Sequence, residues 1–242
     1  MNKSALKQVV AIILGAGQGS RMRQPINKVF LPIHGKPIIV YAIECFERCT
    51  LVDEILLVAA VGEEEQMAKI VRQTRCKKVQ CIVPGGTSRH ESEQRALNVL
   101  RPRIDAGSIE IVLIHDGARP FVPVHKVEEL VRKTREADGA ILAVPLQEEE
   151  RISQIDAGNQ IHKSFEGPLI WKAQTPQAFQ ASLLLKAYDQ AEHDTFFGTD
   201  TAASVERIGG RVALVESDSS NLKITTAEDL FLAERLSHHR RF

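Results

Sequence analysis

The chain contains no apolar run of about 18 residues, so no segment reads as a membrane-spanning helix. Its N-terminus lacks the apolar core and small-residue cleavage site of a signal peptide, and the expectation is a soluble, cytoplasmic protein. There is no excess of charge of one sign either, because 31 basic residues face 31 acidic ones. That balance provides no global field for a nucleic acid or a membrane surface. Any affinity for phosphate must come from local clustering. Cysteine is sparse: the 4 present, Cys45, Cys49, Cys76 and Cys81, make no C-x-x-C pair and read as reduced structural thiols. No internal repeat or low-complexity segment is visible, and 242 residues suit one α/β domain spanning 1–242.

The constellations of covalent and acid–base catalysis are missing as well. The residue order supports no Ser-His-Asp or Cys-His arrangement, and no carboxylate pair is evident. Glu148-Glu149-Glu150 reads as a solvated loop face, and His115 as a structural hydrogen-bonder rather than a base. A site left with cations, backbone donors and a metal suits a nucleophile that arrives already ionised. A phosphate monoester is such a nucleophile, since its second pKa of about 6 leaves it mostly dianionic at neutral pH. Phosphoryl or nucleotidyl transfer onto it requires that two anions be held together and that charge building on the α-phosphate be neutralised.

What is present gathers first at the N-terminal end. The apolar run from Val9 to Leu14 has the length and β-branched content of a buried strand. Gly15, Gly17 and Gly19 follow it, where a backbone without Cβ atoms can turn sharply and bring N–H groups up to a ligand. Such a loop suits phosphate, and Arg21 and Lys28 add cations just downstream. It is neither a P-loop, lacking Gly-Lys-Ser/Thr, nor the dinucleotide fingerprint, whose glycine spacing differs. A nucleoside-triphosphate loop and a plain strand-to-helix turn are the readings left.

Beyond it, strands expected at 55–59, 79–83, 109–114, 140–146 and 212–216 alternate with helices at 37–49, 63–72, 90–100, 124–137, 182–191 and 200–208. Thr225 and Thr226 can cap a last helix running through Arg235. This alternation predicts a mostly parallel sheet with helices on both faces. Residues 147–171 break the pattern: two short alternating pieces flank Asp156-Ala157-Gly158-Asn159 and read as a projecting β-hairpin. In an open parallel sheet, ligands bind at the carboxyl ends of the strands. The first glycine loop, Gly85-Gly86 with Ser92 behind it, and Asp116 with Arg119 all fall there, and Lys223 follows a later strand. Asp116 reads either as a neighbour of a metal bound to phosphates, since Mg²⁺ favours oxygen ligands, or as a cap on the following turn.

Taken together, the stretch from Leu14 to Met22 with Lys28, Gly85-Gly86 with Arg89 and Ser92, and His115-Asp116-Gly117-Ala118-Arg119-Pro120 resemble the 2-C-methyl-D-erythritol 4-phosphate cytidylyltransferases. So do Gln174-Thr175-Pro176-Gln177 with Phe179, Thr199-Asp200, and Asn221-Leu222-Lys223-Ile224-Thr225, in order from about Val9 to Leu236. The resemblance implies a Rossmann-like nucleotidyltransferase fold and a homodimer embraced through the 147–171 arm. It implies transfer of a cytidylyl group from CTP to 2-C-methyl-D-erythritol 4-phosphate with release of diphosphate, in isoprenoid precursor biosynthesis. It also implies Mg²⁺, carried mainly on the CTP phosphates with Asp116 nearby. By position, Arg21 and Lys28 would be catalytic and stabilise the transition state. Leu14, Gly15, Ala16, Gly17, Gly86, Thr87, Ser92 and Asp116 would form the CTP site. Arg119, Thr175, Thr199 and Lys223, with Asp116, would surround the acceptor.

Two departures fall on the acceptor side. Glu148-Glu149 stand where the family has Asp-Thr, and Gly167 stands where its arm carries an arginine that reaches the partner's acceptor. Arg151, Lys163 and Lys172 are the candidates to replace that arginine. A sister cytidylyltransferase for ribitol 5-phosphate or another polyol phosphate, and a non-catalytic nucleotide-binding protein, are the alternatives.

Overall fold

The computed structural model describes residues 7–17, 26–147, 150, 152–165 and 169–238. Strand β1 (Gln8–Leu14) sends Val9, Ala11 and Ile13 into one apolar cluster and Val10 and Ile12 into another. Successive side chains of a strand point to opposite faces. A strand apolar at every position is therefore one covered on both sides.

A small hairpin, β2 (Pro32–Ile33) and β3 (Lys36–Pro37), leads into helix α1 (Ile38–Arg48). Then come β4 (Glu54–Ala59), α2 (Glu64–Gln73), β5 (Val79–Pro84), α3 (Arg89–Asp105), β6 (Ile109–Asp116), α4 (Val124–Glu136) and β7 (Gly139–Pro145). After β8 (Ile152–Ile155) and β9 (Ile161–Phe165) the chain forms β10 (Trp171–Gln180), α5 (Ala181–His193), α6 (Thr201–Arg207), β11 (Val212–Glu216) and α7 (Ala227–His238). One sheet takes the order β11-β7-β10-β6-β1-β4-β5. All its pairings are parallel except the two made by β10. Residues of α1, α4 and α2 cover one face and residues of α3, α5 and α6 the other. A third cluster, with Ile33, Tyr41, Phe121, Ile224 and Ala233, seats α7 against the small hairpin.

The α/β architecture and the hairpin match the expectation. Strand β10 is the element the sequence pattern leaves unread. It runs antiparallel between β6 and β7, and its register on β7 shifts between Ala173 and Gln177. Pro176 lies within that shift, where its missing N–H costs no ladder bond. Helix α3 also extends past the expected end to Asp105.

Among the described residues, strands β8 and β9 pair only with each other. Their turn is closed by Asp156, whose Oδ1 accepts the N–H of Gly158 at 2.8 Å and of Gln160 at 3.0 Å. Ile155 and Ile161 stand 55% and 61% exposed on this arm, values that leave its apolar face without a cover among the described residues. Among the described residues, no helix is long and apolar enough to cross a membrane.

Candidate active site

Strands β6, β1, β4 and β5 end along one edge, with Leu14 opposite both Val58 and Asp116, and Ala59 opposite Pro84. From β1 the chain goes to β4 and β5 on one side, then returns to β6 on the other. Such a reversal of strand order opens a crevice beyond the carboxyl ends. Sheet-like bonds carry into the loops that follow β1, β5 and β6. The N–H of Gly15 donates to the Val58 carbonyl at 2.7 Å, that of Gly85 to Ala59 at 2.7 Å and that of Gly117 to Leu14 at 2.8 Å. Glycine is required where these loops meet, since a Cβ on Gly85 would overlap that of Ala16.

A cavity of about 300 Å³ opens between the loops. Leu14, Ala16 and Gly17 line it from the first loop, and Gly86, Thr87, Ser88, Arg89 and Ser92 from the second. Lys28, Val29, Asp116, Ala118 and Lys223 complete the lining.

The second loop is braced from within. Ser88 caps α3 by accepting the Glu91 N–H at 3.0 Å. The Ser92 hydroxyl donates to the Ser88 carbonyl at 2.8 Å and accepts the Gly86 N–H at 3.0 Å. Glu91 takes the Thr87 N–H at 2.6 Å and its hydroxyl at 2.8 Å, and Arg95 donates to the Gly85 carbonyl at 2.8 Å. The N–H groups of Gly86 and Thr87 are thus turned inward.

Lys28 opens a single 3-10 turn, Lys28–Phe30, held by Asn27. The buried Asn27 amide donates to the Gly15 carbonyl and to Glu63, each at 2.8 Å, while its oxygen accepts the Val29 N–H at 3.2 Å. Asn27 thereby ties the lysine to the end of β1.

Asp116 is the carboxylate in the cavity lining, and three cations converge on it. Arg89 donates to its Oδ1, Lys223 Nζ lies 2.7 Å from Oδ2, and Arg119 Nε lies 3.7 Å from Oδ2. Burial pushes this carboxyl up, but Arg89, Lys223 and Arg119 together outweigh burial and hold it well below the usual carboxylate range. Lys223 is delivered by the segment after β11, where the Ile224 N–H donates to the Ala118 carbonyl at 2.9 Å. Asn221 pins that segment from a fully buried position. Its amide donates to Gln174 and to the Thr175 carbonyl, both at 2.9 Å, and its own carbonyl accepts from Arg119 at 2.7 Å. Behind Asp116, burial lowers the His115 imidazole to about 4. A fully buried imidazole of that kind serves as a structural hydrogen-bonder.

Leu14, Ala16, Gly17, Lys28, Gly86, Thr87, Ser92, Asp116 and Lys223 therefore meet around one cavity. Gly15 lies behind that lining, with its N–H on Val58 and its carbonyl on Asn27. Arg119 approaches Asp116 from the side, and Thr175 lies beneath it, accepting the Asp116 N–H at 3.0 Å. Thr199 is exposed, one residue before the Asp200 cap of α6 and outside the cavity lining. Arg21, Glu148, Glu149, Arg151 and Gly167 lie outside the described residues. Among the described residues, no group of three or more His, Cys, Asp or Glu side chains is placed to hold a metal ion. Arg89 and Asn27 stand in the sequence without an assigned role. Their importance emerges only from what they touch in the fold.

A family model described as 2-C-methyl-D-erythritol 4-phosphate cytidylyltransferase matches residues 9–238. The protein of that name from Shouchella clausii is 39% identical over 233 residues, covering 96% of this chain and 98% of the relative. Its counterpart from Geobacter metallireducens is 39% identical over 230 residues, covering 93% and 96%. The crystal structure of 4-diphosphocytidyl-2C-methyl-D-erythritol synthase from Anaerococcus prevotii superposes with a TM-score of 0.82 at 27% identity, covering 96% of each chain.

Proposed function

The chain belongs to the 2-C-methyl-D-erythritol 4-phosphate cytidylyltransferase family, and from that membership we propose a division of its site into a nucleotide side and an acceptor side. It is a nucleotidyltransferase that moves the cytidylyl group of CTP onto 2-C-methyl-D-erythritol 4-phosphate and releases diphosphate, in the methylerythritol phosphate route to isoprenoid precursors. An acceptor phosphate oxygen bonds to the α-phosphorus as the bond from that phosphorus to the bridging oxygen breaks. The acceptor is dianionic near neutrality, so the enzyme need not remove a proton from it.

On the nucleotide side, the loop from Leu14 to Gly17 and the loop carrying Gly86, Thr87 and Ser92 hold CTP, with Asp116 at the seam. Lys28 and Arg21 neutralise charge growing on the α-phosphate. CTP is preferred over UTP, because the cytosine N4 amino group donates where uracil accepts. The inward-turned N–H groups of Gly86 and Thr87 support a rim that offers acceptors. On the acceptor side, Lys223 with Arg119, Thr175 and Thr199 receives the polyol phosphate. The observation that carries this reading is the convergence of Lys28, Arg89 and Lys223 on the cavity between the two glycine loops.

Magnesium enters with the nucleotide. Both oxygens of Asp116 already face cations, so the residues present do not fit a protein-built metal cage. The ion's ligands are then triphosphate oxygens and water, as Mg²⁺ readily accepts. The chain works as one cytoplasmic domain, 1–242, paired into a homodimer through the 147–171 arm, whose exposed isoleucines need a covering surface. Diphosphate release from CTP and from UTP, measured with a panel of polyol phosphates, tests the assignment. CTP with 2-C-methyl-D-erythritol 4-phosphate should give the highest kcat/KM. A preference for ribitol 5-phosphate, or for UTP, would overturn it.

A further inference from the structure

Glu93 is more deeply buried than Asp116, at 1% exposure, yet neither substrate's binding accounts for it. It lies one turn along α3 from Arg89, whose Nε stands 2.7 Å from Oε1. The Thr201 hydroxyl, at the start of α6, donates to Oε2 at 3.0 Å, and the Tyr188 hydroxyl of α5 donates to the same oxygen. His90 stacks flat on Tyr188, with ring centroids 4.6 Å apart, and closes that side. Burial pushes the Glu93 carboxyl up, against the pull of Arg89 and the two hydroxyls. Two hydroxyls donate to Oε2 and the Arg89 cation faces Oε1, and a carboxylate only accepts, so these contacts fit the charged form.

From Glu93 a line of alternating charge runs out to the cavity. Arg89 spans Glu93 and Asp116, and Asp116 holds Lys223 at 2.7 Å. Burial alone would weaken the charge on Arg89, but Asp116 and then Glu93 outweigh it and hold the guanidinium firmly protonated. A guanidinium is a rigid plane, and carboxylates on two of its edges fix the plane's orientation. With the inner carboxylate discharged, the plane is free to turn on its long stem. Asp116 Oδ1 then follows it, and Oδ2 meets Lys223 from a different angle.

We propose that Glu93 is a positioning residue for the acceptor side of the site, acting through Arg89 and Asp116 on Lys223. It rests on the reading that Lys223 receives the acceptor phosphate.

Glu93→Gln in the full chain keeps the side-chain volume and removes the charge. It should raise the KM for 2-C-methyl-D-erythritol 4-phosphate by about fivefold to tenfold, the scale of one weakened charge-assisted contact. The KM for CTP should change less than that for the acceptor, because Ser92 and Glu91 still brace the Gly86–Thr87 backbone when Arg89 turns. In a Lys223→Ala background the same change should add less than about twofold, since coupled residues are not additive. Tyr188→Phe, which leaves the Glu93–Arg89 pair in place, should lower the melting temperature and leave both KM values alone.

The proposal is overturned if folded Glu93→Gln keeps the parent acceptor KM, or if its effect is undiminished in the Lys223→Ala background. If Lys223→Ala alone leaves the acceptor KM unchanged, the acceptor assignment is what fails. The nitrogen-15 signal of Arg89 Nε–H then decides for Glu93, and an unaltered shift in Glu93→Gln rejects its hold on Arg89. Should Glu93→Gln not fold, Arg89→Lys keeps a cation that cannot span both carboxylates. It should raise the acceptor KM likewise, and an unchanged KM rejects the proposal.

Discussion

The Thr175 hydroxyl lies 3.3 Å from Nδ1 of His115 while accepting the backbone N–H of Asp116 at 3.0 Å. Its own proton therefore goes to Nδ1. Across the ring, Nε2 meets the Arg119 carbonyl at 3.0 Å, and a carbonyl can only accept, so Nε2 carries the hydrogen. The imidazole is neutral with both nitrogens satisfied. A second proton on it would have to displace that of Thr175, at the base of the Asp116 cluster.

This arrangement sets a pH dependence of stability. His115 titrates at about 4 in the fold against 6.5 in the unfolded chain. Between those values the unfolded chain binds more protons, so stability falls as pH drops from 6.5 to 4 and the loss levels off below. The full loss is about 3 kcal/mol. Asp116, whose folded carboxyl is depressed, contributes stability that is lost only below its unfolded value of 3.8. Urea unfolding of the parent and His115→Gln at pH 7 and pH 4.5 separates the two. The variant should start less stable and lose less on acidification. Parallel losses would show that His115 is not the titrating group.

Lys28 and Lys223 should differ in kinetics. On the proposed placement, Lys28→Ala removes a cation from charge that develops only in the transition state, and kcat should fall by roughly 10² to 10³. Lys223→Ala removes one from charge present before reaction. The KM for the polyol phosphate should rise, with a smaller fall in kcat and little change in the KM for CTP. Steady-state kinetics on both variants, with folding checked by circular dichroism, measures this. A Lys28→Ala enzyme that keeps most of its kcat would overturn the placement of the nucleotide.

Gly85→Ala should be harmful, most of all through Ala16 and less through Ser92 and Val58. The added methyl would overlap Ala16 across the two loops, an overpacking that costs about 1–3 kcal/mol. The melting temperature should fall and the KM for CTP should rise. Ala16→Gly in the same chain should recover part of both losses. A double variant no better than the single would place the strain elsewhere.

Replacing Ile152, Ile155 and Ile161 together by serine removes the exposed apolar face of the arm. Sedimentation at micromolar concentration should find the parent a dimer and the triple variant a monomer. A parent that sediments as a monomer would reject the arm's role.

Much of this was legible in the sequence because the pattern was local. β1 is apolar from Val9 to Leu14, and the arm alternates around an Asp-Ala-Gly-Asn turn. Strand β10 was not, since its buried polar groups find partners far along the chain. Gln177 donates to Asp200 at 2.8 Å, and Gln174 accepts from Asn221. The glycine loops, Lys28 and Lys223 were readable from residue type and order. Glu93 was hidden among Glu91, Gln94 and Arg95, on a helix stretch that looks solvated until α5 and α6 cover it.

During synthesis, β6 and β7 leave the ribosome before the strand that joins them. β11 cannot fill the gap, since it lies on the far side of β7. A nascent chain that has reached only residue 170 therefore presents two facing edges across an empty slot, each able to capture a strand from another chain. The arm emerges within that interval, ahead of the strand that fills the slot. The next 10 residues, β10, close the sheet. Chains released just before residue 171 should aggregate, whereas chains released after residue 180 carry the slot already filled.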